Sequence, residues 1–195
     1  MARPELHSVE TLLDTARQLV LEGGARAATV DGIVAASGAP KGSIYHRFAT
    51  LNDLLAAMWL RAVRRSQERF LSGLAEENPV EAAVAAGLAI HDFALDQSAD
   101  ARLLASLRLE DLLGSVLDSD LRDSLRDINA PLEVALVDLT RRLYGRASRA
   151  GIERTMFAVI DLPHGSIRRH LTSAKRPPPG LRLQVEAAMR AALER

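Results

Sequence analysis

Residues 29–48 of the chain read TVDGIVAASGAPKGSIYHRF. Thr29 and Asp31 favour a helix start, because a threonine hydroxyl can accept a backbone N–H there and a carboxylate complements the positive end of the helix dipole. Gly38 tolerates the positive φ of a tight turn, and Pro40 suits the first position of a following helix because it has no N–H to leave unpaired. The stretch therefore predicts a helix, a glycine-containing turn and a second helix, which is the helix-turn-helix arrangement.

The second of these predicted helices carries side chains that suit contact with DNA. Lys41 offers a charge to a phosphate or a guanine edge, Gly42 lets backbone approach DNA, and the hydroxyl of Ser43 can donate or accept. Tyr45 and His46 add phosphate donors or an apolar contact with a base. Taken singly, Tyr45 favours a local packing role and Lys41 a solvated surface role. Together and in this order, the residues indicate a recognition helix that enters the major groove.

The same residues carry a resemblance to a known family. The positions concerned are Thr29, Val30, Ile33, Ala36, Ser37, Gly38, Lys41, Gly42, Ser43, Ile44, Tyr45, His46 and Phe48. This pattern resembles the signature of the tetracycline-repressor (TetR) family of transcriptional regulators, and the remaining chain is similar to the family in length and helical character. The resemblance implies a homodimer that binds palindromic double-stranded operator DNA and usually releases it when a small-molecule effector enters the C-terminal domain. The residues predicted to contact DNA are Thr29, Ser37, Lys41, Gly42, Ser43, Tyr45, His46 and Arg47.

One position departs from the family pattern. Members often have a lysine at the start of the fourth helix, where it contacts a phosphate, and this chain has Leu51 there. Two replacements for that contact are open. One is Arg47, and the other is the set of free N–H groups at a helix start that Thr50 caps, with Asp53 in capping-box spacing.

The composition is that of a small helical protein without disulfides. The chain has 195 residues, 48% of them hydrophobic, and no cysteine, which excludes disulfide bonds and thiolate metal sites. No apolar run reaches membrane-spanning length, and the N-terminal residues lack the apolar core of a secretion signal, so we expect a cytoplasmic protein with no membrane partner. The formal net charge is zero, which predicts low non-specific affinity for DNA.

The spacing of apolar residues predicts an all-α fold of about nine helices. A supporting first helix begins after Ser8 and ends at Gly23 and Gly24, and a long fourth helix begins at Leu51. Further helices are predicted at residues 80–96, 99–113, 121–144, 148–171 and 181–193. We divide the chain into a helix-turn-helix DNA-binding domain of three helices, residues 1–50, and a larger helical ligand-sensing and dimerisation domain, residues 51–195.

The predicted sensor domain holds scattered aromatic, methionine and polar side chains that suit a small-molecule pocket, since such pockets combine apolar walls with a few polar groups. The candidates are Trp59, Phe70, His91, Phe93, Arg102, Leu107, Arg108, Met156, Phe157 and His164. Each is also compatible with an ordinary core or surface position. Pro163 lies inside a helical pattern and predicts a kink with a freed carbonyl near Asp161.

The last two predicted helices are rich in small and apolar residues, which permit close packing of helices. Two such helices from each subunit can form a four-helix dimer interface, which the family resemblance also implies. The alternative is an ordinary face packed inside one chain. The candidate interface residues are Ile160, Ile167, Leu181, Val185, Ala188, Met189 and Ala192.

Two other classes of protein compete with a DNA-binding regulator. The pair His91 and Asp92 is similar to the paired residues of helical metal-dependent phosphohydrolases, but the other histidines are scattered along the chain. There is no nucleophile elbow, phosphate-binding glycine loop or cofactor fingerprint, so we expect no enzyme activity, cofactor or metal. A purely structural helical adaptor explains the helices but leaves the cluster from Lys41 to His46 unexplained. The preferred hypothesis is a repressor that ligand binding releases from its operator.

Overall fold

The protein is described here by a computed structural model that covers residues 8–194. The first seven residues, which contribute to the expectation about secretion, lie outside this range. The described residues form helices and no strand, so the all-α prediction is confirmed. The helices are α1 (Val9–Gly23), α2 (Val30–Ser37), α3 (Lys41–Arg47), α4 (Leu51–Gly73), α5 (Pro79–Asp96), α6 (Ser98–Ser106), α7 (Leu109–Leu113), α8 (Ser119–Arg126), α9 (Ala130–Tyr144), α10 (Arg149–Met156), α11 (Leu162–Thr172) and α12 (Leu181–Leu193).

The chain divides into two compact units. The first runs to Ala62 and also takes in Arg102–Ile128, and the second consists of Val63–Ala101 and the chain from Asn129 onward. The segment Arg102–Ile128 thus packs with the N-terminal helices, although the sequence pattern assigns it to the sensor domain. The functional boundary after residue 50 stays a prediction.

The N-terminal helices begin at the residues that the sequence indicates. The Ser8 hydroxyl accepts a hydrogen bond from the backbone N–H of Thr11 at 3.1 Å, and the Thr29 hydroxyl accepts one from Gly32 at 3.0 Å. Both are N-caps, which satisfy a donor that has no partner inside the helix. Gly38 has a φ of 69°, which allows the chain to turn directly after α2.

Apolar faces of the N-terminal helices form the core of the first unit. Leu12 and Ile33 are fully buried, as are Leu54 and Met58 on the first half of α4. Burial of a side chain of this size contributes about 1.5–3 kcal/mol. This core determines how the surface of the helix-turn-helix is presented.

Two of the predicted helices are each divided in the structure. The 99–113 pattern is interrupted because Arg108 adopts an extended conformation between α6 and α7. The 121–144 pattern is interrupted before α9, which has Pro131 in its first turn. Proline is tolerated only there, because it has no N–H and its ring clashes with the preceding turn. The apolar spacing alone does not reveal these breaks.

Pro163 changes the helix that contains it in a specific way. Residues Phe157–Asp161 form a wider π turn between α10 and α11, and the N–H of Leu162 bonds to the carbonyl of Phe157, five residues earlier. Because proline has no N–H, the carbonyl of Val159 has no α-helical donor at Pro163. A π turn accommodates such a break within a continuous helix, and π turns are frequent at functional sites.

Helix α5 lies at the centre of the second unit and packs against α9, α11 and α12. The ion pair between Glu81 and Arg190 joins the start of α5 to the end of α12, and that between Asp92 and Arg182 joins the end of α5 to the start of α12. The two helices are therefore antiparallel. Gly87 permits their close approach, since a Cβ there would overlap the Cε of Met189. None of the described helices is long and apolar enough to cross a membrane.

Candidate functional site

The turn between α2 and α3 is fixed by Ser37. Its hydroxyl donates to the carbonyl of Ile33 at 2.6 Å and accepts from the backbone N–H of Ala39 at 3.2 Å. The hydroxyl of Thr29 is likewise used as the cap of α2. Both residues, which the sequence suggests as DNA contacts, hold the motif in shape, and we keep a direct contact with DNA for them as a proposal.

Helix α3 has one buried face and one exposed face. Ile44 is 1% exposed, and it anchors the helix together with Ala39 and Phe48 on either side. The opposite face presents four of the predicted contact residues to solvent. These are Lys41, Gly42, Tyr45 and His46. Tyr45 keeps 48% of its surface exposed, which is unusual for a large aromatic side chain and leaves its ring and hydroxyl accessible to a partner.

Lys41 is held by a neighbouring carboxylate. Its Nζ lies 2.9 Å from Oδ1 of Asp31, and both side chains are exposed. The hydrogen bond and the charge of Asp31 raise the pKa of Lys41, so the ammonium group stays charged at neutral pH. An ion pair this exposed to solvent is weak, so a phosphate can replace Asp31 as the partner of Lys41.

Arg47 and Ser43 are bonded to each other. The guanidinium of Arg47 donates to the Ser43 carbonyl at 3.1 Å and to its hydroxyl at 2.8 Å. A basic side chain in the last turn of a helix also interacts favourably with the negative end of the helix dipole. In this structure the two residues stabilise the end of α3, and a contact with DNA requires the guanidinium to reorient.

The start of α4 has the capping box that the sequence predicts. The backbone N–H of Asp53 donates to the Thr50 hydroxyl at 3.1 Å, and the backbone N–H of Thr50 donates to Oδ2 of Asp53 at 2.9 Å. A capping box satisfies only some of the N–H groups at a helix start. The positive end of α4 at Leu51 therefore retains backbone donors of the kind that bind phosphate.

The structure divides the ten candidates for the ligand pocket between the two units. Trp59, Arg102, Leu107 and Arg108 belong to the first unit, whereas Phe70, His91, Phe93, Met156, Phe157 and His164 belong to the second. Trp59 donates from its indole N–H to the carbonyl of Leu107 at 3.2 Å, and both residues are buried, so this pair has a packing role. Phe70 and Phe93 are also buried.

Four of these candidates are exposed, and their part in a pocket stays a prediction. Met156 and Phe157 are 42% and 49% exposed, and Arg108 and His164 are exposed as well. The first two lie at the junction of α10 with the π turn, where the wider turn changes the helical phase that the sequence pattern assumes. Desolvation by neighbouring groups lowers the pKa of His164 although part of its surface remains open.

His91 differs from the other candidates in having a buried polar atom without a partner among the described residues. It is 3% exposed, its Nδ1 lies 3.4 Å from Oδ1 of Asp92, and its Nε2 is buried without a hydrogen-bond partner among the described residues. An unpaired buried polar atom costs about 1–3 kcal/mol, so a bound molecule that pairs with it gains affinity. Within residues 8–194 no group of three or more histidine, aspartate or glutamate side chains is placed to hold a metal.

The candidates for the dimer interface separate into buried and accessible residues. Ile167, Leu181, Val185 and Met189 are at most 6% exposed and belong to the core of the second unit. Ala188 is exposed, and Ile160 and Ala192 are half-buried. Leu183, which is not among these candidates, is 69% exposed. The buried residues of α12 recur at every fourth position from Leu181, and Leu183 lies on the opposite face of the helix. This offset from the repeat is the sequence signal for an exposed apolar residue.

A recognition helix with an exposed polar face, held by buried anchors behind a fixed turn, defines a helix-turn-helix DNA-binding protein. The family model described as bacterial regulatory proteins, tetR family, matches residues 12–58, which include α2, the turn and α3. Residues 12–58 thus form a DNA-binding domain of the TetR type, and the chain is a transcriptional regulator.

Solved structures of other regulators share the fold over nearly the whole chain. The regulator PfmR from Thermus thermophilus is 17% identical, with a TM-score of 0.73, and the match covers 94% of this chain and 99% of that one. The fatty acid degradation regulator FadR from Bacillus halodurans is 16% identical, with a TM-score of 0.70 and coverage of 95% and 98%. The ketosteroid transcriptional regulator KstR2 of Mycobacterium tuberculosis is 17% identical, with a TM-score of 0.67 and coverage of 95% and 92%. No curated protein sequence gave a significant match.

Proposed function

We propose that this regulator is a homodimeric, non-enzymatic repressor that binds a palindromic operator in the cytoplasm and is released by a small-molecule ligand. The observation that carries the proposal is the exposed face of α3. There Lys41, Gly42, Tyr45 and His46 lie side by side over the buried anchor Ile44.

Each residue of this face has a role that follows from its chemistry. Lys41 exchanges Asp31 for a phosphate, and His46 and the hydroxyl of Tyr45 donate to phosphates or base edges. Gly42 allows the backbone of α3 to approach DNA closely, since a side chain would stand between them. Two recognition helices of a dimer then contact half-sites about 34–36 Å apart.

An apolar outer surface of the second unit supports dimerisation. Met156, Phe157 and Leu183 are exposed, and Ala187 and Ala191 follow Leu183 at four-residue intervals on the outer side of α12. Large apolar side chains exposed in this way favour association with another protein surface. A two-fold axis would bring the same surface of a second copy against it and bury it.

Release by ligand requires two states of the dimer with different affinities for the ligand. A ligand that binds the released state about a hundredfold better shifts the equilibrium by about 2.7 kcal/mol. His91 in the second unit supplies a buried atom that such a ligand can pair with. Two of the similar structures are named as regulators of fatty acid degradation and of ketosteroids, so apolar molecules with one polar group are the first class to screen.

The proposal is tested by selecting duplexes that the purified protein binds from a random DNA pool, followed by titration of the enriched sequence. We expect a palindrome, and we expect Tyr45→Ala and Lys41→Ala to abolish its binding while helicity and oligomeric state are retained. Arg149→Ala is the matched control for Lys41→Ala, because Arg149 also forms an exposed ion pair, with Glu153, and should bind normally. No enriched duplex, or normal binding by both α3 variants, would refute the proposed operator contact.

A further inference from the structure

Positive charge is concentrated in one segment of the second unit. Between Asp161 and Glu186 the chain has no carboxylate, and this segment holds five of the 25 lysines and arginines of the protein. The rest of the chain therefore carries 20 such cations against 25 aspartates and glutamates. The formal net charge of zero thus conceals a strong local excess of positive charge.

Four of the five cations are exposed and close together in the sequence. Arg168 and Arg169 lie in the last turns of α11, and Lys175 and Arg176 follow in the connection to α12. None of the four forms an ion pair with a carboxylate of the described residues. The fifth, Arg182, is neutralised by Asp92. We call the first four residues the basic turn.

The backbone of the basic turn is ordered by hydrogen bonds and prolines. The N–H of Lys175 bonds to the carbonyl of His170 at 3.1 Å, and the N–H of Ala174 bonds to that of Leu171 at 3.3 Å. Ala174 has a φ of 52°, so this is a helix-ending motif of the Schellman type with alanine in the position that usually requires glycine. Three prolines at 177–179 then restrict the chain before α12. The cations are therefore presented by a defined structure.

The position of the basic turn within the second unit follows from two sets of ion pairs. Arg182 pairs with Asp92, so the connection before α12 lies at the C-terminal end of α5. Arg69 pairs with Asp96 at 2.9 Å, so this end of α5 lies beside α4 shortly after α4 enters the unit at Val63. The basic turn is thus at the end of the second unit that holds the C-terminal end of α5 and the neighbouring part of α4.

We propose that the basic turn is a second, sequence-independent contact for the phosphates of DNA. This proposal rests on the DNA binding proposed above, and it adds a contact surface outside the helix-turn-helix. A guanidinium group can donate two parallel hydrogen bonds to the oxygens of one phosphate, and three of the four cations are arginines. The charge of Lys41 on α3 has Asp31 beside it, whereas no carboxylate of the described residues pairs with the basic turn, which makes this turn a source of long-range attraction for a polyanion.

The test compares two variants that lose the same charge. The first changes Arg168, Arg169, Lys175 and Arg176 to glutamine, and the matched control changes the exposed Arg126, Arg141, Arg146 and Arg149 to glutamine. Circular dichroism and sedimentation establish that each variant is folded and has the oligomeric state of the wild type. Binding of the enriched duplex and of an unrelated duplex is then titrated between low and moderate salt.

Each phosphate contact adds about 0.9 to the slope of log affinity against log salt concentration. If two cations per protomer reach phosphates, the basic-turn variant of a dimer loses about 3–4 from that slope and binds both duplexes at least about tenfold more weakly at low salt. The control keeps the wild-type slope. If the two variants have equal slopes and still bind the operator, the basic turn has no role in DNA binding, but the operator function stands. If the wild type binds no duplex at all, the operator function is overturned too. Equal slopes together with variant-sensitive binding to phosphatidylglycerol vesicles would reassign the surface to anionic lipid.

Discussion

Oδ1 of Asp53 accepts a hydrogen bond of 2.9 Å from the backbone N–H of Asp118, which lies 65 residues further along the chain. The other carboxylate oxygen of Asp53 accepts from the backbone and hydroxyl of Thr50 at the start of α4. Asp118 in turn caps α8, since its side chain accepts from the backbone of Asp120 at 3.0 Å. One buried carboxylate therefore joins the helix that follows the DNA-reading motif to the start of α8.

We expect Asp53→Asn to destabilise the protein by about 1–3 kcal/mol, because the amide has one acceptor oxygen where the carboxylate has two and places an NH₂ group against a backbone donor. Urea unfolding at a fixed protein concentration measures the change. Asp123→Asn is the control, since Asp123 is exposed on α8 and makes only a 3.7 Å ion pair with Arg126. If Asp53→Asn lowers the free energy of unfolding no more than the control does, the hydrogen bonds of Asp53 contribute little to stability.

This bond shows which parts of the structure the sequence can predict. The capping box of Thr50 and Asp53 and the cap of α2 by Thr29 are local patterns, and both are present as predicted. The bond to Asp118 depends on the packing of Arg102–Ile128 with the first unit. Local spacing carries no information about such a pairing.

The predicted interface residues illustrate a second limit. An apolar repeat shows that a helix buries one face, but it does not show whether the neighbouring surface belongs to the same chain or to a partner. On α12 the repeat that includes Val185 and Met189 faces the interior of the second unit. The accessible apolar residue on that helix is Leu183, which lies outside the repeat.

Gly42 provides a test that separates DNA contact from folding. A Cβ built at this residue meets no atom within 4 Å, so the fold does not require glycine there. We expect Gly42→Ala to preserve the fold and to stabilise α3 by up to about 1 kcal/mol, because alanine has the higher helix propensity. If the backbone of α3 approaches DNA at Gly42, operator affinity falls at least about tenfold, which corresponds to about 1.4 kcal/mol.

The control for Gly42→Ala is Gly165→Ala. Gly165 also lies in a helix, α11, and a Cβ there also meets no atom within 4 Å. The helix-propensity effect is therefore similar, while the residue lies outside the helix-turn-helix. Equal operator affinity of the two alanine variants, measured by fluorescence anisotropy, would disprove a close approach of DNA at Gly42.

The apolar outer surface predicts a second set of effects. Phe157→Glu and Leu183→Glu place a charge on residues that are already exposed, so the folded protomer should lose little stability. In a dimer that buries these residues the unpaired charge should weaken association at least about tenfold. Val116→Glu is the control, because Val116 is 79% exposed and belongs to the first unit, between α7 and α8. Sedimentation equilibrium measures the dimer dissociation constant of each variant. If Phe157→Glu and Leu183→Glu both associate as the wild type does, the interface lies elsewhere.

The pair of Asp92 and Arg182 predicts a dependence of stability on pH. Partial burial raises the pKa of Asp92, but two hydrogen bonds from Arg182, at 3.0 and 3.1 Å, together with its charge, outweigh burial and leave that pKa below its ordinary value. A carboxyl group with a lower pKa in the folded state stabilises the protein above its unfolded pKa of about 3.9, and this contribution is lost as the pH falls through the folded pKa. The pair of Asp92 and Arg182 thus stabilises the folded protein at neutral pH and not in strong acid.

Arg182→Gln should therefore lower the free energy of unfolding by about 0.5–1 kcal/mol at pH 7, a small value because both side chains are more than a third exposed and solvent screens them. The difference from the wild type should shrink as the pH is lowered below the unfolded pKa of about 3.9 and through the lower folded pKa of Asp92, where the paired carboxyl becomes protonated. Urea unfolding of both proteins from pH 7 to the lowest pH at which they remain folded, at one protein concentration, measures it. Arg149→Gln serves as the control, since its ion pair with Glu153 on one exposed helix face should contribute less. A difference that stays constant across this range would mean that Arg182 stabilises the protein by packing of its side chain on α5 and not by its charge.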